Sequence, residues 1–211
     1  MLQRKTRNPD RQAALEQYRR RARVYNIELL LLEPIRRRAV RKLGLHAGDI
    51  VLDVGCGTGM SFALLRNAVG STGRIIGIEQ SPEMLERAGK LVRDRRWNNV
   101  TLVNSPVEDA DIRDTADAAL FHFTHDILRQ PRALENVFQH LRPGAAVVAS
   151  GLKWSRPWAL QTNLAVLIAA KRSVTALEGL REPWSYLKQS LKQFEVTSAL
   201  AGGVFVARGV C

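Results

Sequence analysis

Cysteine is scarce. Only Cys56 and Cys211 occur in 211 residues, which excludes a disulfide framework and offers no metal-ligand spacing. A reducing, cytoplasmic setting is therefore expected. Long apolar runs are missing too: none approaches the roughly 18 apolar residues a membrane span needs, and the opening MLQRKTRNPDRQ lacks the apolar stretch of a secretion signal. The chain is expected to be soluble, or peripheral at a membrane. Acidic side chains are thin at the front, where residues 1–50 hold thirteen Lys and Arg against five Asp and Glu, a surplus of eight within a net charge of +12. Such local basicity suits phosphates on nucleic acid, anionic lipid headgroups or an acidic partner alike, since all three reward the same Coulomb attraction. A solvated helix face accounts for it equally well.

What is present is enough apolar residue, 45%, for one substantial core, and no repeat or linker marks a domain boundary. Asn8-Pro9-Asp10 reads as an N-cap, a proline at the first helical position and a first-turn acid, opening a helix toward Tyr25. Glu33-Pro34 opens a second, IRRRAVRKL, that turns Ile35, Ala39, Val40 and Leu43 inward and its arginines outward, and stops at Gly44. From Ile50 short apolar runs alternate with amphipathic ones: IVLDV, SFALLRNAV, RIIGI, PEMLERAGKLVRD, VTLV, DAALF, a helix from Pro131 to about Leu141, and AAVVAS at 145–150. That is βαβ rhythm. A helix-like segment from Pro183 and two closing strands, EVTSAL and GVFVAR, complete a doubly wound, Rossmann-like α/β fold with a seven-stranded sheet. Residues 1–44 form a helical arm or lid on a domain of residues 45–211.

The chemistry is concentrated in VLDVGCGTG, residues 51–59. Gly55, Gly57 and Gly59 allow a tight turn and the close approach of a ligand to the backbone, with a helix directly behind. Asp53, near the strand's end, can meet a cationic amino group. A dinucleotide site would want G-x-G-x-x-G to seat a pyrophosphate; G-x-G-x-G with an acid two residues ahead suits a nucleoside that bears an amine. Glu79, after RIIGI, can accept both ribose hydroxyls from the next strand end.

These stretches, with IIGIEQSPEMLERA at 75–88 and LRPGAAVVAS at 141–150, resemble the class I S-adenosylmethionine-dependent methyltransferases over roughly residues 45–150. The resemblance implies S-adenosylmethionine as cofactor, with S-adenosylhomocysteine as product. It implies that Asp53, Gly55, Cys56 and Gly57 hold the methionine part and Glu79 the ribose, with Gln80 and Met84 beside the adenine. Met84 serves equally well as helix core. In VTLVNSPVEDA the family's acidic residue near the adenine amino group is replaced by Pro106, so Ser105, Glu108 or the amide of Val107 is expected to supply that contact. Phe121, ending the fourth strand, completes the expected cofactor set.

Methyl transfer from a sulfonium is an in-line displacement that needs alignment, dryness and, for some acceptors, a base. FHFTHDIL at 121–128 follows the fourth strand and offers His122 and His125 as bases, against the alternative that either ring packs or caps the loop. Tyr18 and Tyr25, with Trp154 and Trp158, are candidate acceptor-binding residues whose faces suit an alkylammonium; core or lid packing is the competing role. RARVYNIELLLLEPIRRRAVRKL, residues 21–43, is similar to bacterial amine and phospholipid-headgroup N-methyltransferases. The expected activity is methyl transfer to a small molecule or lipid headgroup, at nitrogen, with the apolar run LAVLIAA at 164–170 an ordinary buried helix segment or an aid to peripheral membrane contact. Two alternatives stay open: an RNA methyltransferase that uses the basic arm, although the Asn/Asp-Pro-Pro-aromatic tetrad is missing, and a non-catalytic S-adenosylmethionine-binding module.

Overall fold

A computed structural model describes residues 32–173, 177 and 179–211. The expected helix toward Tyr25 lies outside the described residues, and Tyr18 and Tyr25 with it.

Helix α1 spans Glu33–Leu43, with Pro34 in its first turn, where a missing N–H leaves no bond unmade, and Gly44 (φ 65°) closing a left-handed cap. Its apolar stripe is buried as the 3.6-residue period requires. The arginines depart from expectation, however: Arg36 is only 1% exposed. It precedes Ala39, Val40 and Leu43 by helical spacings and so points with them, while Arg37 stays at the surface.

The alternating segment follows as β1 (Ile50–Val54), α2 (Phe62–Val69), β2 (Arg74–Glu79), α3 (Pro82–Asp94), β3 (Val100–Asn104), β4 (Ala116–His122), α4 (His125–Leu128), α5 (Pro131–Gln139) and β5 (Leu141–Leu152). It closes with α6 (Leu160–Ser173), α7 (Ser185–Ser190), β6 (Lys192–Ala199) and β7 (Val204–Val210). Ser81 caps α3 by accepting from the Met84 amide, with Pro82 in the first turn. α5 stops two residues before Leu141 because that residue already pairs with Ala116 in the sheet. β5 is therefore longer than the expected 145–150.

The seven strands lie in the order β3-β2-β1-β4-β5-β7-β6, with β7 alone reversed. Alternation along each strand builds a core on both faces. Val51, Leu120 and Val148 face α1, α2 and α6 through Ile35, Phe62 and Val166, while Leu52, Phe121 and Val147 face α5 and α7 through Leu134 and Leu187. Phe62 is fully buried, worth roughly 1.5–3 kcal/mol. Its ring lies where a Cβ on Gly59 or Gly77 would sit, 2.6 and 2.8 Å away, so both glycines answer to that one side chain. The strand order reverses between β1 and β4. A crevice opens there, at the carboxyl ends of the strands, and that is where an open α/β sheet binds its ligands.

The run 164–170 is not the buried segment expected of it. Val166 and Ala170 face the core, but Leu160, Leu164 and Ile168 recur every four residues on the outer face and are 74, 58 and 47% exposed. No described helix is long and apolar enough to cross a membrane.

Candidate active site

At the crevice, β1 delivers Asp53 and then breaks into the glycine loop. Gly55, Gly57 and Gly59 all have positive φ, 73°, 57° and 79°. The three are not equivalent. A Cβ on Gly55 would lie 2.5 Å from Thr124 Cγ2 and 2.9 Å from Ile127 Cδ1, so Gly55 lets the β4–α4 turn pack onto the loop. A Cβ on Gly57 would meet nothing within 4 Å: it would project into open space at the edge of the crevice.

Glu79 ties this loop down. Its Oε2 accepts the Gly57 amide at 3.0 Å and its Oε1 the Ser81 amide at 2.8 Å. Burial pushes its carboxyl up, and those amide bonds oppose the rise. Each oxygen keeps a lone pair for a further donor. Asp53 is 2% exposed with Oδ2 unpartnered, and desolvation drives its carboxyl up to about 7 although Arg36 pulls it down. Cys56 is buried, its thiol held well above the usual range by burial first, then by Asp53 and Glu79, so it is no nucleophile.

A cleft is walled by Gly55, Gly57, Ile78, Glu79, Gln80 and Met84 on one side and by Val107, Glu108 and His122 through Ile127 on the other. A second, smaller cavity shares Gly55, Gly57, His122 and Phe123 with it and adds Arg36, Asp53, Cys56 and Met60. The expected cofactor residues Asp53, Gly55, Cys56, Gly57, Glu79, Gln80, Met84, Val107 and Glu108 thus line two adjoining cavities that share the glycine loop. Two others do not. Phe121 is fully buried among the side chains facing α5, because strand alternation sends it away from the crevice. Ser105 turns its hydroxyl back onto the Pro106 carbonyl at 2.9 Å and lines neither cavity.

The two histidines part company. His122 Nδ1 is 2.7 Å from Ser150 Oγ, and its Nε2 is buried with no partner. Desolvation, helped by Arg36, lowers its pKa to about 3, so the ring is neutral. His125 sets Nε2 2.8 Å from the Leu152 carbonyl, which can only accept, and packs edge-on against Phe205. Gly151 makes room for it, since a Cβ there would lie 2.6 Å from the ring. That nitrogen is committed, and His125 is a wall and packing residue. Between them Phe123 has φ 60°, the left-handed region that non-glycine residues seldom enter. Its amide is held by the Ser150 carbonyl at 2.8 Å.

Trp154 and Trp158, expected at the acceptor, line neither cavity. Trp154 packs on the core cluster beneath α6, and Trp158 lies 72% exposed with the Arg156 guanidinium over its ring at 5.3 Å. Sequence reasoning missed Arg36, Phe123, Thr124 and Ile127. For Arg36 a signal existed in its helical phase; for the other three the wall forms only when β4 lies beside β1.

Residues 51–144 match a family model described as a methyltransferase domain. The chain is 27% identical to the demethylmenaquinone methyltransferase of Oceanobacillus iheyensis over 75% of its own length and 68% of that protein's. It is 28% identical to the 2-phytyl-1,4-naphtoquinone methyltransferase of a Nostoc species over 75% and 71%. Among solved structures it resembles a SAM-dependent methyltransferase from Aquifex aeolicus (TM-score 0.60, 21% identity, 82% of this chain and 88% of that one). It also resembles the N-methyltransferase NodS of Bradyrhizobium japonicum in complex with S-adenosylhomocysteine (TM-score 0.61, 17% identity, 84% and 86%). These two likenesses are of fold.

Proposed function

We propose that this chain, a class I S-adenosylmethionine-dependent methyltransferase, holds its cofactor along the β1 and β2 ends and methylates a small ring acceptor that carries an acidic hydroxyl, of the quinol kind. In this reading Asp53 takes the cofactor's amino group, Glu79 the ribose hydroxyls, and Met84, Gln80, Val107 and Glu108 surround the adenine. His122 carries the choice of acceptor. With Nδ1–H donating to Ser150, the neutral imidazole leaves a buried, unpartnered Nε2 to accept a hydrogen bond from an acceptor hydroxyl; with a pKa of about 3 it orients the acceptor rather than removing its proton, which suits a hydroxyl acidic enough to ionise to water. The acceptor's electrons attack the methyl carbon as the carbon–sulfur bond breaks, leaving the thioether, and the acceptor gives up one proton to water. Relatives named for demethylmenaquinone and for a phytyl naphthoquinone support a ring of this class.

Nitrogen-directed methylation of a lipid headgroup is the second reading, favoured by the stretch at 21–43. It is weakened because neither tryptophan that would cage an ammonium lines the cleft. The test is methyl-labelled S-adenosylmethionine with the protein and a chemically reduced bacterial lipid extract. Label in apolar ring compounds is expected; label in an amine headgroup would replace the first reading by the second, and label only in nuclease-sensitive polymer would overturn both.

We also infer that the outer face of α6 rests on an anionic lipid surface, the source of an apolar acceptor. Trp158, Leu160, Leu164 and Ile168 are exposed together, Lys153 and Arg156 flank them, and no Asp or Glu occurs between Glu135 and Glu178. Sedimentation with phosphatidylglycerol vesicles, and loss of it in a Leu164→Glu/Ile168→Glu double variant, is the expected result. Equal recovery with and without vesicles would reject it.

A further inference from the structure

Five buried side-chain polar atoms have no partner among the described residues, and four of them belong to Arg36, Asp53, His122 and Thr124, which line the two cavities. An orphaned buried donor or acceptor costs about 1–3 kcal/mol, so orphans gathered on cavity walls mark groups held ready for a ligand. Asp53 takes the cofactor's amino group and His122 Nε2 the acceptor's hydroxyl. Thr124 Oγ1 takes neither, although Thr124 lines the larger cleft together with His122.

The place of Thr124 in the chain offers that hydroxyl a partner it does not use. Thr124 is the N-cap of α4, where a threonine hydroxyl normally accepts an amide of the first turn, yet its side chain caps nothing. The other branch of the side chain is engaged: its Cγ2 lies 2.5 Å from where a Cβ on Gly55 would sit, so the methyl packs against the glycine loop. Its carbonyl accepts the Leu128 amide at 3.1 Å. Backbone and methyl are thus fixed, and only the hydroxyl is left over. Phe123, left-handed between the two residues and tied to the Ser150 carbonyl, makes the turn that sets His122 and Thr124 on one wall.

From this, and resting on the ring-acceptor reading above, we propose that Thr124 determines acceptor specificity: its hydroxyl hydrogen-bonds a second oxygen on the acceptor ring while His122 Nε2 takes the first. The cleft then selects rings that carry two oxygens over rings that carry one. A threonine hydroxyl both donates and accepts, so it pairs with that second oxygen whether it is a hydroxyl or ionised. His122, whose Nδ1 is engaged with Ser150, accepts only and requires a hydroxyl. The two orphans are not interchangeable, and together they hold the ring in one orientation. On a ring with a single oxygen Thr124 stays unpaired, and that cost falls on the wrong acceptor.

Calorimetric titration of the full chain, saturated with S-adenosylhomocysteine so that no methyl is transferred and kept under a reductant, compares naphthohydroquinone with α-naphthol. The wild type is expected to bind naphthohydroquinone about tenfold tighter, the scale of one hydrogen bond. Thr124→Val keeps the methyl against Gly55 and removes only the hydroxyl. In it naphthohydroquinone should fall to the level of α-naphthol, with α-naphthol itself within about twofold of its wild-type affinity, whereas Thr124→Ser should keep the preference. Equal binding of the two rings by the wild type overturns the proposal and leaves the ring-acceptor reading standing, as does a Thr124→Val protein that still discriminates or loses both rings equally. Should the variants not fold, para-fluoro-α-naphthol decides in the wild type. Its fluorine fills the place of the second hydroxyl but is a poor hydrogen-bonding group, so it should bind like α-naphthol, and binding as tight as naphthohydroquinone overturns the idea. Binding of neither ring by the wild type would sink the ring-acceptor reading, and this inference with it.

Discussion

Glu79 Oε2 and the Gly57 amide nitrogen, 22 residues apart, are joined by a 3.0 Å hydrogen bond that clasps the glycine loop to the end of β2. One carboxylate therefore both shapes the loop and faces the cleft. Its Oε1 extends the clasp to Ser81, the cap of α3, so three successive elements converge on a single side chain.

Glu79→Ala should accordingly damage more than ligand contacts. The part-buried Gly57 amide and the buried Ser81 amide lose their acceptor, which costs about 1–3 kcal/mol in stability. Cofactor affinity should fall by a similar or larger amount. Glu79→Gln keeps one acceptor oxygen and should lie between. Thermal unfolding with and without S-adenosylhomocysteine separates the two effects, and an unchanged melting temperature in Glu79→Ala would show that the clasp carries no stability.

Gly57 and Gly55 should respond differently to substitution. Gly57→Val adds a side chain into open space, so the fold should survive the roughly 1–2 kcal/mol of left-handed backbone strain while the cofactor is shut out. Gly55→Ala drives a methyl into Thr124 and Ile127 and should destabilise the domain itself. Circular dichroism and cofactor titration of the pair check this; a Gly57→Val protein with native affinity would remove Gly57 from the site.

Asp53 carries the pH dependence. Its carboxyl, raised from 3.8 to about 7, must be ionised to take an ammonium, so cofactor affinity should fall as pH drops below about 7, approaching tenfold per unit. The stability sign is opposite. A carboxyl that is harder to ionise folded than unfolded favours the fold fully below pH 4 and loses that contribution as pH rises through 7. Asp53→Asn should therefore stabilise the ligand-free protein at pH 8, by up to roughly 4 kcal/mol, while weakening cofactor binding. Denaturant unfolding at pH 5 and pH 8 reads the first, titration the second. Arg36, Glu79 and His122 face the same group, so the midpoint belongs to that cluster.

His122 and His125 should separate in kinetics. His122→Asn should lower turnover by about tenfold, the scale of one lost hydrogen bond to the acceptor, with cofactor affinity nearly unchanged, and because burial keeps the ring neutral no His122 titration should appear between pH 5 and 8. His125→Ala should chiefly destabilise, by about 2–4 kcal/mol, as it empties a packed site between Phe205 and Gly151 and strands the Leu152 carbonyl. Equal kinetic losses in both would contradict the division.

The order of elements, the glycine loop and the strand-end carboxylates were legible without coordinates, because period, turn chemistry and capping are local. PEMLERAGKLVRD reads as a helix from Ser81 onward and is one, Pro82–Asp94. Asp53 and Glu79 could be named because a strand's end in a βα unit faces the crevice whatever the rest of the chain does.

Relations between distant segments were a different matter. That Phe121 turns inward and His122 outward depends on the register of β4 against β1, where Val54 pairs with Phe121. That His122 is held through Nδ1 with Nε2 left unpartnered, while His125 commits its Nε2, depends on Ser150 and Leu152, supplied by β5. Arg36 lies between the two cases: its helical phase is written in the sequence, but a charge is expected to face water, and only the cavity that holds Asp53 explains why it does not. Local physics determines which elements form and where their ends lie. Burial and electrostatics at the site arise where elements meet, and those depend on packing that no single segment contains.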